Sequence, residues 1–142
     1  MHRVEALLVA GLPRLSAEGR KALASLTWDV PPPAGRLAQS VGLKNRFALM
    51  RLLREEGLPS YRELAGWIQV LIWQLEWEDH NTALARQAFE AGRYPGSFYR
   101  TVRRVTGVSW EEVRARGSNW VLLEFLARCD SHTGRNAVDR AG

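Results

Sequence analysis

Apolar positions along this chain recur at intervals of three and four, and nowhere do they alternate over the length of a strand. That spacing lays one apolar stripe along a helix, so the pattern predicts helices throughout. No Asn-Gly or Asp-Gly pair offers a hairpin turn. Residues 2–10 read as a short helix, and Ser16 as the N-cap of AEGRKALASL, with Leu23 and Leu26 facing inward. TWDVPPP breaks the chain, and Pro33 suits the first turn of the next helix, AGRLAQSV, which Gly42 ends. KNRFALMRLLREE follows and stops at Gly57. The longest predicted helix spans 60–78, with Leu64, Ile68, Leu71, Ile72 and Leu75 forming a broad stripe. Asp79, Asn81 and Thr82 offer caps for TALARQAFEA, which Gly92 ends. PGSFYRTVRRV stops at Gly107, SWEEVRA runs from Ser109 to Gly117, and NWVLLEFLARC closes the pattern. From residue 131 the tail is polar and is expected to fray.

The pattern repeats. A short helix, a glycine, an arginine-bearing helix and a second glycine occupy 34–57, and the same order occupies 82–107, with Gly42 and Gly92 fifty residues apart. Two short helices on a tight glycine turn are the elements of a helix-turn-helix, whose second helix can enter a major groove. In the first copy Leu37, Ala38, Val41, Leu49, Leu52 and Leu53 face inward, which leaves Lys44, Phe47, Met50, Arg51 and Arg54 outside. Asn45 and Arg46 open the same helix. In the second copy Leu84 and Ala88 pack against Phe98, Val102 and Val105, which leaves Tyr94, Ser97, Arg100, Arg103 and Arg104 as the outer set. These twelve outer residues are the candidate DNA contacts. Arg100 can fork onto guanine, Arg103, Arg104, Arg54 and Lys44 suit phosphates, and Phe47 or Met50 suits a thymine methyl.

Composition sharpens this reading. The chain has 142 residues, 46% of them hydrophobic, enough for one domain with a core. Its net charge of +5 favours a polyanionic partner. One cysteine, Cys129, excludes an intrachain disulfide and suits a reducing cytoplasm. No apolar run reaches the length of a membrane span. Cys129 and His132 supply only two of the four ligands of a structural zinc, and no phosphate loop, dinucleotide fingerprint or nucleophile elbow is present. No metal, cofactor or catalytic residue is therefore expected, and the chain is not expected to be an enzyme.

These residues resemble the AraC-type DNA-binding domain of bacterial transcription regulators over about residues 17–116. The matching stretches are LAQSVGLKNRFALMRLLREEGLPSY and ALARQAFEAGRYPGSFYRTVRRVTGVSWEEVR. Within the second, the family's closing pattern falls on Phe98, Arg100, Val102, Arg103, Arg104, Gly107 and Arg114. The sequence departs from the family after Gly92, where the turn is one residue short and Arg93 replaces a phenylalanine, and after Gly107, where Trp110 replaces a proline. The resemblance implies an all-α domain of two helix-turn-helix subdomains joined by a long linker helix, with an extra C-terminal helix here. The expected divisions are lobe one at 16–59, the linker at 60–78, lobe two at 79–117, the C-terminal helix at 118–130 and a tail at 131–142. It also implies that helices 44–56 and 96–106 enter successive major grooves of double-stranded DNA.

Ordinary readings stand beside these. Arginine-rich faces are usually only solvated, and Trp73 and Trp77 suit a core better than a base-stacking platform. The altered turns fit a protein-interaction module that keeps the fold without reading DNA, and Tyr94 and Tyr99 would suit single strands. Trp120, Leu123 and Leu126 on the last helix would either complete the core or join a protein partner or a second copy.

Overall fold

In the computed structural model, residues 3–27 and 30–141 are described, the side chains of 130–141 excepted. Trp28, and with it part of the predicted break at TWDVPPP, lies outside them, as does the His132 side chain. The described residues form an all-α fold of nine helices with no strand. These are α1 (Arg3–Gly11), α2 (Ala17–Leu26), α3 (Ala34–Ser40), α4 (Arg46–Glu55), α5 (Tyr61–His80), α6 (Leu84–Glu90), α7 (Pro95–Thr106), α8 (Trp110–Arg116) and α9 (Ser118–Ala141).

Helix α5 is the axis on which the rest is built. The predicted stripe holds, with Leu64, Ile68, Leu71 and Leu75 buried and Ile72 partly so. Ala65, Trp67, Val70, Trp73 and Gln74 are buried as well, so far more than one face is covered. The reason is that α1, α2, α6, α7, α8 and α9 all pack against it. A helix surrounded in this way is apolar nearly all round. Trp73 lies flat on Phe98 of α7, with ring centroids 4.1 Å apart and planes 16° from parallel. Two turns further back α5 and α7 come closer still. A Cβ on Gly66 would sit 2.5 Å from Cγ2 of Val105, so only a residue without a side chain lets the two helices meet there.

Several ends are fixed by residues distant in sequence. Glu78, near the end of α5, accepts from the Ser118 amide (2.8 Å) and hydroxyl (2.7 Å) and so caps α9. Glu56 accepts from the amide and hydroxyl of Ser16, while the Ser16 hydroxyl oxygen accepts from the Gly19 amide at 3.1 Å to start α2 as predicted. Arg3 of α1 pairs with Asp79 of α5.

Four sequence expectations are corrected. Asp79 and Asn81 do not cap α6. Helix α5 runs on to His80, Asn81 closes it in a left-handed conformation (φ 58°), and Thr82 donates its hydroxyl to Glu76. Helix α6 therefore begins at Leu84, without a side-chain cap. Pro33 precedes α3 instead of lying in its first turn. On α9 the buried face is Val121, Phe125 and Cys129, a spacing of four on a helix that packs against α5 and α8. Trp120 and Leu126 lie half-buried against that core, and Leu123 alone of the predicted trio stays exposed. Finally, the backbone stays helical through 131–141 where fraying was expected, with no proline to stop it.

Candidate nucleic-acid interface

Two helix pairs, α3 with α4 and α6 with α7, form the most intimate contacts of their regions. The turns within them are the same device. After α3, the Leu43 amide donates to the Ala38 carbonyl (2.8 Å) and the Gly42 amide to Gln39 (3.1 Å). After α6, the Arg93 amide donates to Ala88 (2.8 Å) and the Gly92 amide to Phe89 (3.0 Å). Gly42 and Gly92 have φ of +83° and +70°, the left-handed region where a Cβ is disfavoured. This paired closure is a glycine C-cap of the Schellman type. The two copies thus agree bond for bond at an offset of fifty residues.

Past the glycine they diverge by one residue. Helix α4 starts at Arg46, capped by the Asn45 side chain, which accepts from the Ala48 amide at 3.0 Å. Helix α7 starts at Pro95, one residue sooner after its glycine. The buried positions follow, with Leu49 and Leu53 of α4 matching Phe98 and Val102 of α7 at an offset of forty-nine. In that register Arg51 falls with Arg100, Arg54 with Arg103, and Met50 with Tyr99.

The outer face of α4 carries what the sequence placed there. Lys44, Asn45, Arg46, Phe47, Met50, Arg51 and Arg54 are all exposed. Phe47 and Met50 are 56% and 48% exposed, and the Arg46 guanidinium lies 5.0 Å from the Phe47 ring centroid. With Leu53, Leu58 and Pro59 they line a trough of about 640 Å3 rimmed by Arg46, Arg54 and Arg62. Asn45 serves as a helix cap, which fixes where α4 begins.

On α7, Tyr94, Arg100 and Arg103 are exposed. A Cβ on Gly96 would meet Cε1 of Tyr94 at 2.9 Å and Nη1 of Arg100 at 3.2 Å, so these two side chains close over the glycine. Two predicted residues behave differently. Ser97 is half-buried, not outside, and its hydroxyl donates to the Tyr94 carbonyl at 2.7 Å, closing the first turn. Arg104 keeps an exposed surface but turns back toward α5, where it lines a cavity with Arg62 and Glu63. Burial first, and then the Arg62 charge, push its guanidinium below the ordinary arginine value, against the pull of Glu63.

Among the described residues no carboxylate pairs with Lys44, Arg46, Arg51, Arg100, Arg103 or Arg104. Glu90 is engaged by Arg86 on its own helix (3.0 Å), and Glu55 pairs with none of these cations. Arg62, at the start of α5, lines both the α4 trough and the cavity that Arg104 of α7 lines.

Sequence reading missed Arg62 and Arg128, which line that cavity with Arg104, and Phe89, which stands exposed at the end of α6. No spacing rule connects the two arginines, because they come from different helices. Trp73 and Trp77 are core elements, with the Arg114 guanidinium 4.7 Å from the Trp77 ring centroid. Among the described residues no group of three metal-ligating side chains occurs, and no helix is long and apolar enough to cross a membrane. No protein-family model, curated protein or solved structure matches the chain.

Proposed function

We propose that this chain is a sequence-specific double-stranded DNA-binding protein, a transcription regulator similar to the AraC type, that sets α4 and α7 into successive major-groove segments. The observation that carries the reading is the pairing of α3 with α4 and of α6 with α7 across matching glycine turns fifty residues apart, each pair ending in a helix with outward cations, Arg51 on one and Arg100 on the other. In this reading α3–α4 and α6–α7 are helix-turn-helix units and α5 is their linker. Arg51 and Arg100, equivalent in register, reach base edges, where a bidentate contact to guanine discriminates by about 1–3 kcal/mol. Lys44, Arg54 and Arg103 hold phosphates and set affinity more than preference. Phe47 and Met50 offer apolar contact to thymine methyls.

The test is enrichment from a randomised duplex pool, followed by salt titration of the recovered site. The expected motif has two segments about one helical turn, or ~34 Å, apart. Each phosphate contact contributes about −0.9 to the slope of log K against log salt. Arg51→Ala and Arg100→Ala should each relax preference in one segment, whereas Arg103→Ala should weaken all duplexes alike. A pool that yields no motif defeats the proposal.

One observation favours a second reading, a protein-interaction module. The α4 trough is apolar at its floor, and Phe47 and Met50 are large side chains left in water. Under that reading no duplex is enriched and Phe47→Ala leaves the weak, salt-sensitive DNA binding unchanged.

A further inference from the structure

Where α5, α7 and α9 meet, three arginines from three helices converge. Arg62 stands in the first turn of α5, Arg104 near the end of α7 and Arg128 in the middle of α9, and all three line one cavity of about 290 Å3. The remaining polar lining is Ser60 and Glu63. Arg128 is steadied by Trp67, its guanidinium 5.4 Å from the ring centroid, while Trp67 itself is buried in the core. The α7 wall lies close against α5, since Val105 is packed on Gly66 and Arg104 Nη2 would lie 3.5 Å from a Cβ there.

Three like charges around one cavity repel one another, and a bound anion would relieve that repulsion. Three guanidinium groups facing one carboxylate leave about two net positive charges in a partly enclosed space. There each charge interacts more strongly than it would in open water. Among the described residues no salt bridge neutralises Arg62, Arg104 or Arg128. Guanidinium forks match the tetrahedral oxygens of phosphate and bind them in pairs. The Ser60 side chain makes no cap to α5, so the first amides of that helix are left without it beside the same cavity.

We propose that the Arg62–Arg104–Arg128 cavity is a binding site for a phosphate group, either the terminal phosphate of a small diphosphate-bearing compound or a DNA backbone phosphate drawn in between the two helix pairs. The site stands on its own geometry and holds whether or not α4 and α7 read bases. A free compound binding there would press on Arg104, and through Val105 on the α5–α7 seam. It would thereby couple its own occupancy to the placement of α7.

The experiment uses the full chain, inorganic pyrophosphate and a short mixed-sequence duplex. Calorimetric titration of pyrophosphate at fixed ionic strength should show one saturable site. Arg62→Gln, Arg104→Gln and Arg128→Gln should each weaken it about ten- to a hundred-fold, the loss of one charge-assisted contact. Arg86→Gln, on α6 and outside the cavity lining, should leave it unchanged, and Arg104→Lys should retain part of it. Folding is checked independently: relief of like-charge repulsion should leave the melting temperature of Arg62→Gln and Arg104→Gln close to that of the parent, whereas Arg128→Gln also loses its contact with Trp67 and should melt slightly lower. If pyrophosphate does not bind but the three variants, and not a control at Arg86, lower duplex affinity and flatten its salt slope, the phosphate is that of DNA. If pyrophosphate binds and duplex affinity is untouched, it is a free compound. Indifference of both ligands to all three substitutions overturns the proposal.

Discussion

Replacing Gly66 by alanine tests whether the α5–α7 contact sets the placement of the second helix pair. The added Cβ would lie 2.5 Å from Val105 Cγ2, and that partner is a stiff β-branched side chain, not a flexible tip. Ordinary carbon contacts lie near 3.5–4.0 Å, so α7 must move by about 1 Å or Val105 must leave its rotamer. Overpacking of this kind costs about 1–3 kcal/mol. Against it stands the gain from alanine over glycine inside a helix, about 0.5–1 kcal/mol. The net expectation is a loss of about 1–2 kcal/mol, or a fall of about 3–8 °C in melting temperature for a chain of this size. Circular dichroism melts and urea titrations measure it. The decisive comparison is the cycle with Val105→Ala. That substitution alone leaves a cavity, but combined with Gly66→Ala it removes the clash, so the double variant should be more stable than the sum of the singles by about 1 kcal/mol. If Gly66→Ala melts at or above the parent temperature, or the cycle is additive, the close approach is not what positions α7.

Other outcomes follow from the same contacts. Phe98→Ala removes the ring stacked on Trp73 and should cost about 3–5 kcal/mol in chemical denaturation, detaching α7 from α5. Glu78→Ala removes the cap from α9 and should cost about 1 kcal/mol at neutral pH. Burial raises the Glu78 carboxyl, but its hydrogen bonds from Ser118 and Gln74 outweigh this and hold it below the usual glutamate range. A carboxyl depressed in the fold contributes stability above its unfolded pKa and loses it as pH falls through the folded value. The gap between parent and Glu78→Ala should therefore close in acid, and a gap constant down to about pH 3 would refute the assignment. Tyr61 is shifted the other way, its phenol raised by burial while it donates to the Pro32 carbonyl. Its contribution should persist below the ordinary tyrosine pKa and fade as pH rises past it, and a Tyr61→Phe variant should lack this alkaline step.

The amino-acid pattern by itself determined that the described chain is helical, where most helices stop, and that two helix pairs share one glycine turn at an offset of fifty residues. These are local matters: apolar spacing selects the helix, and a left-handed closure selects Gly42 and Gly92. The outward position of Lys44, Phe47, Met50, Arg51 and Arg54 was legible for the same reason, since one inner stripe defines its opposite face. What the tertiary structure decided was everything that depends on neighbours from elsewhere in the chain. Asn81 was legible as a cap but not as the end of α5, whose exposed last turn carries the Arg3–Asp79 pair and the His80–Glu76 contact. Ser97 is half-buried with its hydroxyl closed on the Tyr94 carbonyl, and Arg104 departs from Arg100 and Arg103 because the start of α5 lies beside it. On α9 the partners α5 and α8 set which stripe is buried, Val121, Phe125 and Cys129, with Trp120 and Leu126 at its edges and Leu123 outside. Spacing along a helix fixes which residues share a face, but not which face the rest of the molecule covers. For that reason the convergence of Arg62, Arg104 and Arg128 belongs to the fold alone.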